Sequence, residues 1–399
     1  MDAVREQLDR AVDACLRKAG PRVGSHLSAG LDSGGVAASA ALRLAKTGGE
    51  VIGFTAVPSE RAASAFAKLG LVDEGPLAAE TAALHPNLRQ ILVRSTGSLL
   101  DHMSGSLRWF EQPLPNPTNF GWGRAILDQA RLQGLSVMLN GQLGNLGFSH
   151  DGLELLTQLF RSGRWLRLAR EGRSMRQAGM NARAIVGLTI GSMLPGPLLR
   201  ALSTAARQSH QNVEVSLARA GTSAGSREAR REHLKQWRYD PATARQHGLE
   251  EMDFGAFNHG IQAEWGIDMR DPTSDRRVIE LCLRIPPEQF LSGGVRRAIA
   301  RRVLAGRLPP AVLNERRRGY QSADWPEMLD AARPEILEEA RLIEQSSAAS
   351  SVIDTDRLRG FLRDWPEHWD GSARQEFLYN RALLRALSAG RFARMVEAG

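Results

Sequence analysis

Residues 25–39 read SHLSAGLDSGGVAAS, a turn of small residues between an apolar run and an alanine-rich one. The preceding VGSHLS (23–28) has the pattern of a short buried strand, and GVAASAALRLA (35–45) is rich in alanine, the best helix former. Where a strand hands over to a helix, unpaired backbone N–H groups and the positive end of the helix dipole favour an anion. Gly30 and Gly34 let the backbone come close to it, and Ser28 and Ser33 add hydroxyl donors. The turn is not a Walker loop, because no Lys-Ser/Thr pair follows the glycines, and it lacks the GxGxxG spacing of dinucleotide sites. Asp32 has two readings here. A carboxylate among phosphate donors repels phosphate unless a divalent cation lies between them, which makes Asp32 a Mg²⁺ ligand. Alternatively, it caps the helix that begins after it.

On either side of this turn the first 150 residues alternate strand and helix patterns. LDRAVDACLRKA (8–19) is an amphipathic helix, VIGFTAV (51–57) and LRQILVR (88–94) are buried strands, and SAFAKLG (64–70) begins a helix. GRAILDQARLQG (123–134) is a helix that leads into a fourth strand, SVMLNG (136–141). The alternation predicts an α/β fold: a parallel twisted sheet with right-handed crossovers, helices on both faces and ligands at the carboxyl ends of its strands. Residues 1–150 form the nucleotide-binding core in this reading. Residues 151–399 form a mostly helical region that folds back over it, with ELLTQLFRSGRWLRLAREG (154–172), SREARREHLKQWR (226–238) and RRAIARRVLAG (296–306) as helices. Residues 203–226 and EQSSAASS (344–351) read as loose.

Composition narrows the class without choosing a function. The 399 residues carry 52 Lys+Arg against 44 Asp+Glu, a net +8, which favours anionic partners. Only Lys18, Lys46, Lys68 and Lys235 are lysines, and arginine cannot serve as a general base. Cys15 and Cys282 are too few for a zinc knuckle or a disulfide framework, so a reducing, cytoplasmic setting is expected. The amino terminus has no apolar core of the signal-peptide kind. The longest uncharged stretch, AIVGLTIGSMLPGPLL (184–199), is shorter than the ~20 residues of a spanning helix and reads as a buried helix ending at Pro195 and Pro197.

Four blocks in order carry a resemblance. SAGLDS (28–33) resembles the PP-loop of the ATP pyrophosphatases, whose usual form is SGGLDS, with Ala29 in place of the middle glycine. NGQLGNLGF (140–148) and DMRDPTSD (268–275) are similar to the SGEGSDELF and ExRxPFLD segments of asparagine synthetases. IPPEQFLSGGVRRAIARRVLAGRLPPAVLNERRRGYQ (285–321) matches their LP turn, helix, LPP and RxKxxF stretch. The chain thus resembles the synthetase half of an asparagine synthetase. The resemblance implies cleavage of ATP between its α and β phosphates, with Mg²⁺, to give an acyl adenylate and pyrophosphate. Leu27, Ser28, Gly30, Leu31, Asp32, Ser33, Ala56, Asn140 and Gly141 would hold ATP and pyrophosphate, and Asp32 and Asn145 the metal.

Three departures refine the expectation. Residue 2 is Asp2 where that family carries a nucleophilic cysteine, so no glutaminase domain is expected in this chain. The family's carboxylates in GEGSDE become the amides Gln142 and Asn145, and its late lysine becomes Arg318. Arg318 can clamp phosphate oxygens but not shuttle protons. The pattern GQxGN with DPTxDRR and RRGYQ resembles the lasso peptide cyclases, macrolactam synthetases that adenylate an Asp or Glu side chain of a precursor peptide and join it to the peptide's own N-terminal amine. An α-amine has a pKa of about 7.7 to 8.0, so a neutral fraction exists near pH 7 without an acidic base. Asp32, Gln142, Asn145 and Arg318 are the expected catalytic group, and a leader peptidase and a leader-binding protein are further implied partners. A small-molecule amide ligase of the asparagine synthetase or β-lactam synthetase kind is the alternative, and no nucleic acid partner and no membrane span are expected.

FEQPLPNPTNFGW (110–122) reads as a rigid, substrate-facing aromatic loop with Asn119 and Trp122 as contacts, or as a proline-stiffened connector. Asp271 and Asp275 are substrate contacts or helix caps, and Arg270, Arg276 and Arg277 are phosphate contacts or solvated surface. His150 is a base or a peptide contact, or else a cap or surface residue, and His26 is packed.

Overall fold

The computed structural model describes residues 1–95, 97–194, 217–219, 241–250 and 252–399. Five parallel strands, β1 (Arg22–His26), β2 (Glu50–Ala56), β3 (Leu88–Val93), β4 (Val137–Leu139) and β5 (Asp268–Arg270), form one sheet in the order β3-β2-β1-β4-β5. The four strands read from the sequence are present, and the mixed α/β class holds. β5 was not anticipated, because three residues, DMR, carry no apolar run.

The strand order decides where the site lies. The chain steps outward from β1 to β2 to β3, then returns to place β4 on the other side of β1. Connections therefore leave β1 and β4 in opposite directions, and a crevice opens outside their carboxyl ends. The segments that enter this crevice are the SAGLDS turn after β1 and the NGQLGN turn after β4.

Each sheet face is covered by a different set of helices. α1 (Asp2–Leu16) and α2 (Leu31–Leu44) cover one face, where Val12, Val23, Val36, Ala37, Ala40, Ala41, Val51 and Leu139 form a closed core. The alanines of α2 let it lie close on the strands, and Val36, Ala37, Ala38, Ala40 and Ala41 are wholly buried. α3 (Glu60–Ala65) and α4 (Gly75–Ala83) follow β2, and α5 (Leu99–Phe110) and α6 (Pro117–Leu132) lie between β3 and β4. On the second face Ile52, Phe54, Met138 and Val93 pack with Phe110, Phe120, Trp325 and the last helices of the chain in a larger core.

Several elements differ from expectation. The helix expected over 64–70 occupies Glu60–Ala65, set by Ser59, whose hydroxyl accepts from Ala62 N–H at 3.0 Å. The stretch 154–172 is two helices, α7 (Glu154–Arg161) and α8 (Trp165–Gln177), separated at Gly163 with φ +69°. EQSSAASS is not loose: Gln345 ends one helix, and Ser346 caps the next, Ser347–Val352, by accepting from Ala349 N–H at 3.0 Å. α9 (Ala182–Ile190) is only half-buried, with Val186 56% exposed, in place of a fully buried helix. The helix expected over 226–238 and most of the stretch 203–226 lie outside the described residues. Among the described residues no helix is long and apolar enough to cross a membrane.

Candidate active site

The SAGLDS turn is built by its own hydroxyls. Ser28 and Ser33 share a hydrogen bond at 2.5 Å, and Gly30 N–H donates to Ser28 Oγ at 3.0 Å. Gly30 is the N-cap of α2 in extended conformation, with no side-chain cap, so helix α2 opens at the turn without a capping side chain for its first N–H groups. Asp32 stands in that first turn and is not the cap, which removes the structural alternative for this residue. Leu27 is buried beneath the turn, its N–H bonded to Phe54 O at 2.9 Å, and Leu31 is buried on the helix side. Ala56 ends β2 beside them.

The second turn closes on the first. Gly141 and Gly144 approach so closely that a Cβ on Gly144 would lie 2.0 Å from Asp32 Oδ1, and one on Gly141 would lie 2.8 Å from the Asp32 carbonyl carbon. No residue but glycine fits at either place without displacing Asp32. Asn140 joins the turn to the sheet edge: its N–H donates to Arg270 O at 3.0 Å, and its Oδ1 accepts from Gln142 N–H at 3.3 Å. The Gln142 and Asn145 side chains face solvent.

Asp32 is the electrostatic centre. Its side chain is 13% exposed, and Oδ1 is buried without a hydrogen-bond partner among the described residues. Burial pushes its carboxyl up to about 6; the Ser149 hydroxyl and the Arg297 guanidinium pull the other way, and Asp271 adds to the rise. Arg297 Nη1 stands 3.9 Å from Asp32 Oδ2, on a backbone held at φ +56°. An arginine in the left-handed region stores strain, and strain of this kind collects at functional sites. Sequence reasoning passed over Arg297, whose only signal was a place in an arginine-rich run.

Glu74 was also passed over. Its Oε2 accepts the Ala29 N–H at 2.9 Å, and a Cβ on Gly319 would lie 2.2 Å from its Oε1. Burial raises its carboxyl above the ordinary value, opposed by the Ala29 N–H and the Ser28 hydroxyl.

The remaining expected residues fall into two groups. The segment carrying Arg318 lies beside the loop before α4, with Leu71 N–H donating to Arg318 O at 3.0 Å and Tyr320 N–H to Leu71 O at 2.9 Å. The Arg318 side chain is exposed and takes part in no ion pair among the described residues. Asn119 ties this segment to α6, donating to Gln321 Oε1 at 3.1 Å and accepting from Ser322 Oγ at 2.7 Å. Trp122, one turn further, meets the His26 ring edge-on at 6.0 Å, and its indole N–H is buried without a partner among the described residues. His26 is held down to about 4 by burial, so its ring is neutral at neutral pH.

Asp271 and Asp275 make internal bonds. Asp271 accepts from Leu143 N–H at 3.0 Å and from both Thr273 N–H and Oγ1, which fixes the end of β5 to the glycine turn. Asp275 caps the helix Arg276–Leu283, accepting from Arg277 N–H at 2.9 Å. Arg270 is bound to Asp268 and to the carbonyls of Cys15 and Arg17, while Arg276 pairs with Glu280 and Arg277 with Asp275. These three arginines are structural or surface groups. His150 shares a 2.8 Å hydrogen bond with Glu154 Oε2 and packs against Phe290.

Beside the 110–116 stretch lies a cavity of about 550 Å³ bordered by Trp109, Phe110, Glu111 and His259. Arg245, buried, donates to Leu146 O, Gly147 O and Cys282 O and so clamps the far side of the glycine turn.

Two glycine-rich turns from distant parts of the chain thus meet at the strand-order reversal, with a buried carboxylate and the strained arginine that pairs with it between them. No curated protein sequence matches the chain. The asparagine synthase family matches residues 3–388, nearly its whole length. The chain therefore belongs to the asparagine synthase family and is an ATP-dependent carbon–nitrogen ligase.

Proposed function

We propose that this ligase is a peptide macrolactam synthetase: it adenylates an Asp or Glu side chain of a precursor peptide and closes an isopeptide bond with the peptide's N-terminal amine. The carrying observation for ATP at this site is Asp32 Oδ1, buried against Gly144 in the crevice without a hydrogen-bond partner among the described residues. A buried carboxylate oxygen without a partner is costly, and a divalent cation bound with phosphates relieves that cost. The donor set fits Mg²⁺, which takes one or two carboxylates and leaves its other positions to phosphate and water. Asp32 would hold it, with the exposed amide of Asn145 assisting. When bound, Mg²⁺ neutralises phosphate charge.

The chain's own groups supply the rest. The free N–H groups at the start of α2 and the hydroxyls of Ser28 and Ser33 bind pyrophosphate, and Leu27, Ala56, Asn140 and Gly141 border the nucleoside. Arg297 and Arg318 stabilise the charge that develops as the carboxylate oxygen attacks the α-phosphorus and pyrophosphate leaves. Trp122 and the 110–116 loop exclude water from the adenylate, and the neighbouring cavity receives the peptide. The amine then attacks the activated carbonyl and AMP departs.

The peptide assignment is supported by the acid-to-amide changes at Gln142 and Asn145 and by the lysine-to-arginine change at Arg318. An α-amine that is partly neutral near pH 7 tolerates those losses, and holding it beside the adenylate supplies effective concentration. A precursor peptide with its leader peptidase and leader-binding protein are the proposed partners. The enzyme incubated with precursor core peptide, ATP and Mg²⁺ should yield AMP and a product lighter by one water. Formation of ADP, or AMP released only with small amino acids, overturns the proposal.

A further inference from the structure

We propose that Glu74 is a positioning residue for the ligase reaction, a carboxyl wedge that sets the phosphate turn against the segment carrying Arg318. The inference rests on placing ATP at the SAGLDS turn and is independent of which carboxylate is activated. Three observations carry it. Glu74 Oε2 accepts the Ala29 N–H at 2.9 Å, inside the phosphate turn and 45 residues away in sequence. Its Oε1 lies where a Cβ on Gly319 would come within 2.2 Å, so residue 319 has to be glycine while Glu74 is in place. The same loop is bonded through its backbone to both neighbours of Gly319, with Leu71 N–H donating to Arg318 O and Tyr320 N–H donating to Leu71 O.

These contacts give Glu74 a role that its sequence position does not reveal. A single carboxyl fixes the height of the turn that takes pyrophosphate and the approach of the backbone that carries Arg318. A buried acid close to a phosphate site would otherwise oppose phosphate binding, and burial favours its neutral form. Its use as an acceptor for Ala29 N–H and as a steric seat for Gly319 accounts for its presence.

The test is a double-mutant cycle in the full-length protein, read by calorimetric MgATP affinity and by kcat for AMP formation. Glu74→Ala should weaken MgATP binding about tenfold, the scale of one buried hydrogen bond lost. Gly319→Ala should do the same by displacing the carboxyl. The double variant should bind no worse than Glu74→Ala alone, because the contact that excludes the new methyl has gone. Glu74→Gln, which keeps an acceptor for Ala29, should stay within about threefold of wild type. Losses that multiply in the double variant, or a Glu74→Gln as weak as Glu74→Ala, overturn the proposal. Wild-type protein that binds MgATP but closes no ring would sink the macrolactam reading and leave this one standing.

Discussion

Asp32 places a charge in an unfavourable location. Its carboxyl, ordinarily near 3.8, sits at about 6 because it is buried. The folded protein therefore holds this proton more tightly than the unfolded chain, and stability falls as pH rises from about 4 to about 6. Above that window the full penalty remains, on the order of 1–3 kcal/mol given its partial exposure. Asp32→Asn should accordingly raise unfolding stability at pH 8 by about that amount, leave it unchanged at pH 4, and abolish MgATP-dependent turnover. Denaturant titrations at the two pH values check it; an equal gain at both would show that ionisation is not the cause. Gly144→Ala makes the converse case. A methyl 2.0 Å from Oδ1 must push the two turns apart, so MgATP binding should fall while overall stability drops by only about 1–3 kcal/mol. Asp32, Gly30 and the glycine turn were legible because charge and glycine stand out in a local window. Arg297 and Glu74 were not, since their partners come from segments far along the chain.

At the scale of elements, the glycine turn after β4 is held from two sides, by Asp271 accepting from Leu143 N–H and by Arg245 donating to three carbonyls. Arg245→Ala should cost about 2–4 kcal/mol, since it leaves buried acceptors unpaired, and should speed amide exchange at residues 144–148 above that in α2. Lysine should not rescue it, because one ammonium cannot reproduce the planar fork. Unchanged exchange at the turn would mean that the clamp is not needed there. Strands β1 to β4 were readable as apolar bursts between helical stretches. β5 was not, because an edge strand of three residues is defined by its pairing with β4 rather than by its composition. The helix Ser347–Val352 was missed for a related reason: serine and alanine suit both loop and helix, and the Ser346 cap and burial of Ala349 decide between them.

For the whole molecule, the sheet order 3-2-1-4-5 brings together turns that are over 100 residues apart in sequence. Alternating strands and helices made the parallel sheet predictable, and the site followed at the carboxyl ends. The cavity proposed to receive the peptide is less legible, because it is assembled from α5 and the helix Gly255–Trp265, whose contact no local pattern announces. In the proposed reaction the nucleophile is the peptide's α-amine, and the expected catalytic group offers no general base beyond Asp32, which the proposal assigns to the metal. The rate of ring closure should then rise between pH 7 and 8.5 with the amine's pKa of about 7.7 to 8.0, and N-acetylated peptide should give no lactam. The most direct measurement uses a precursor peptide whose acceptor Asp or Glu carboxylate carries ¹⁸O at both oxygens, with mass spectrometry of the nucleotide product. Adenylation predicts one ¹⁸O atom in AMP for each ring closed; label in inorganic phosphate, with ADP as the nucleotide, would contradict the account.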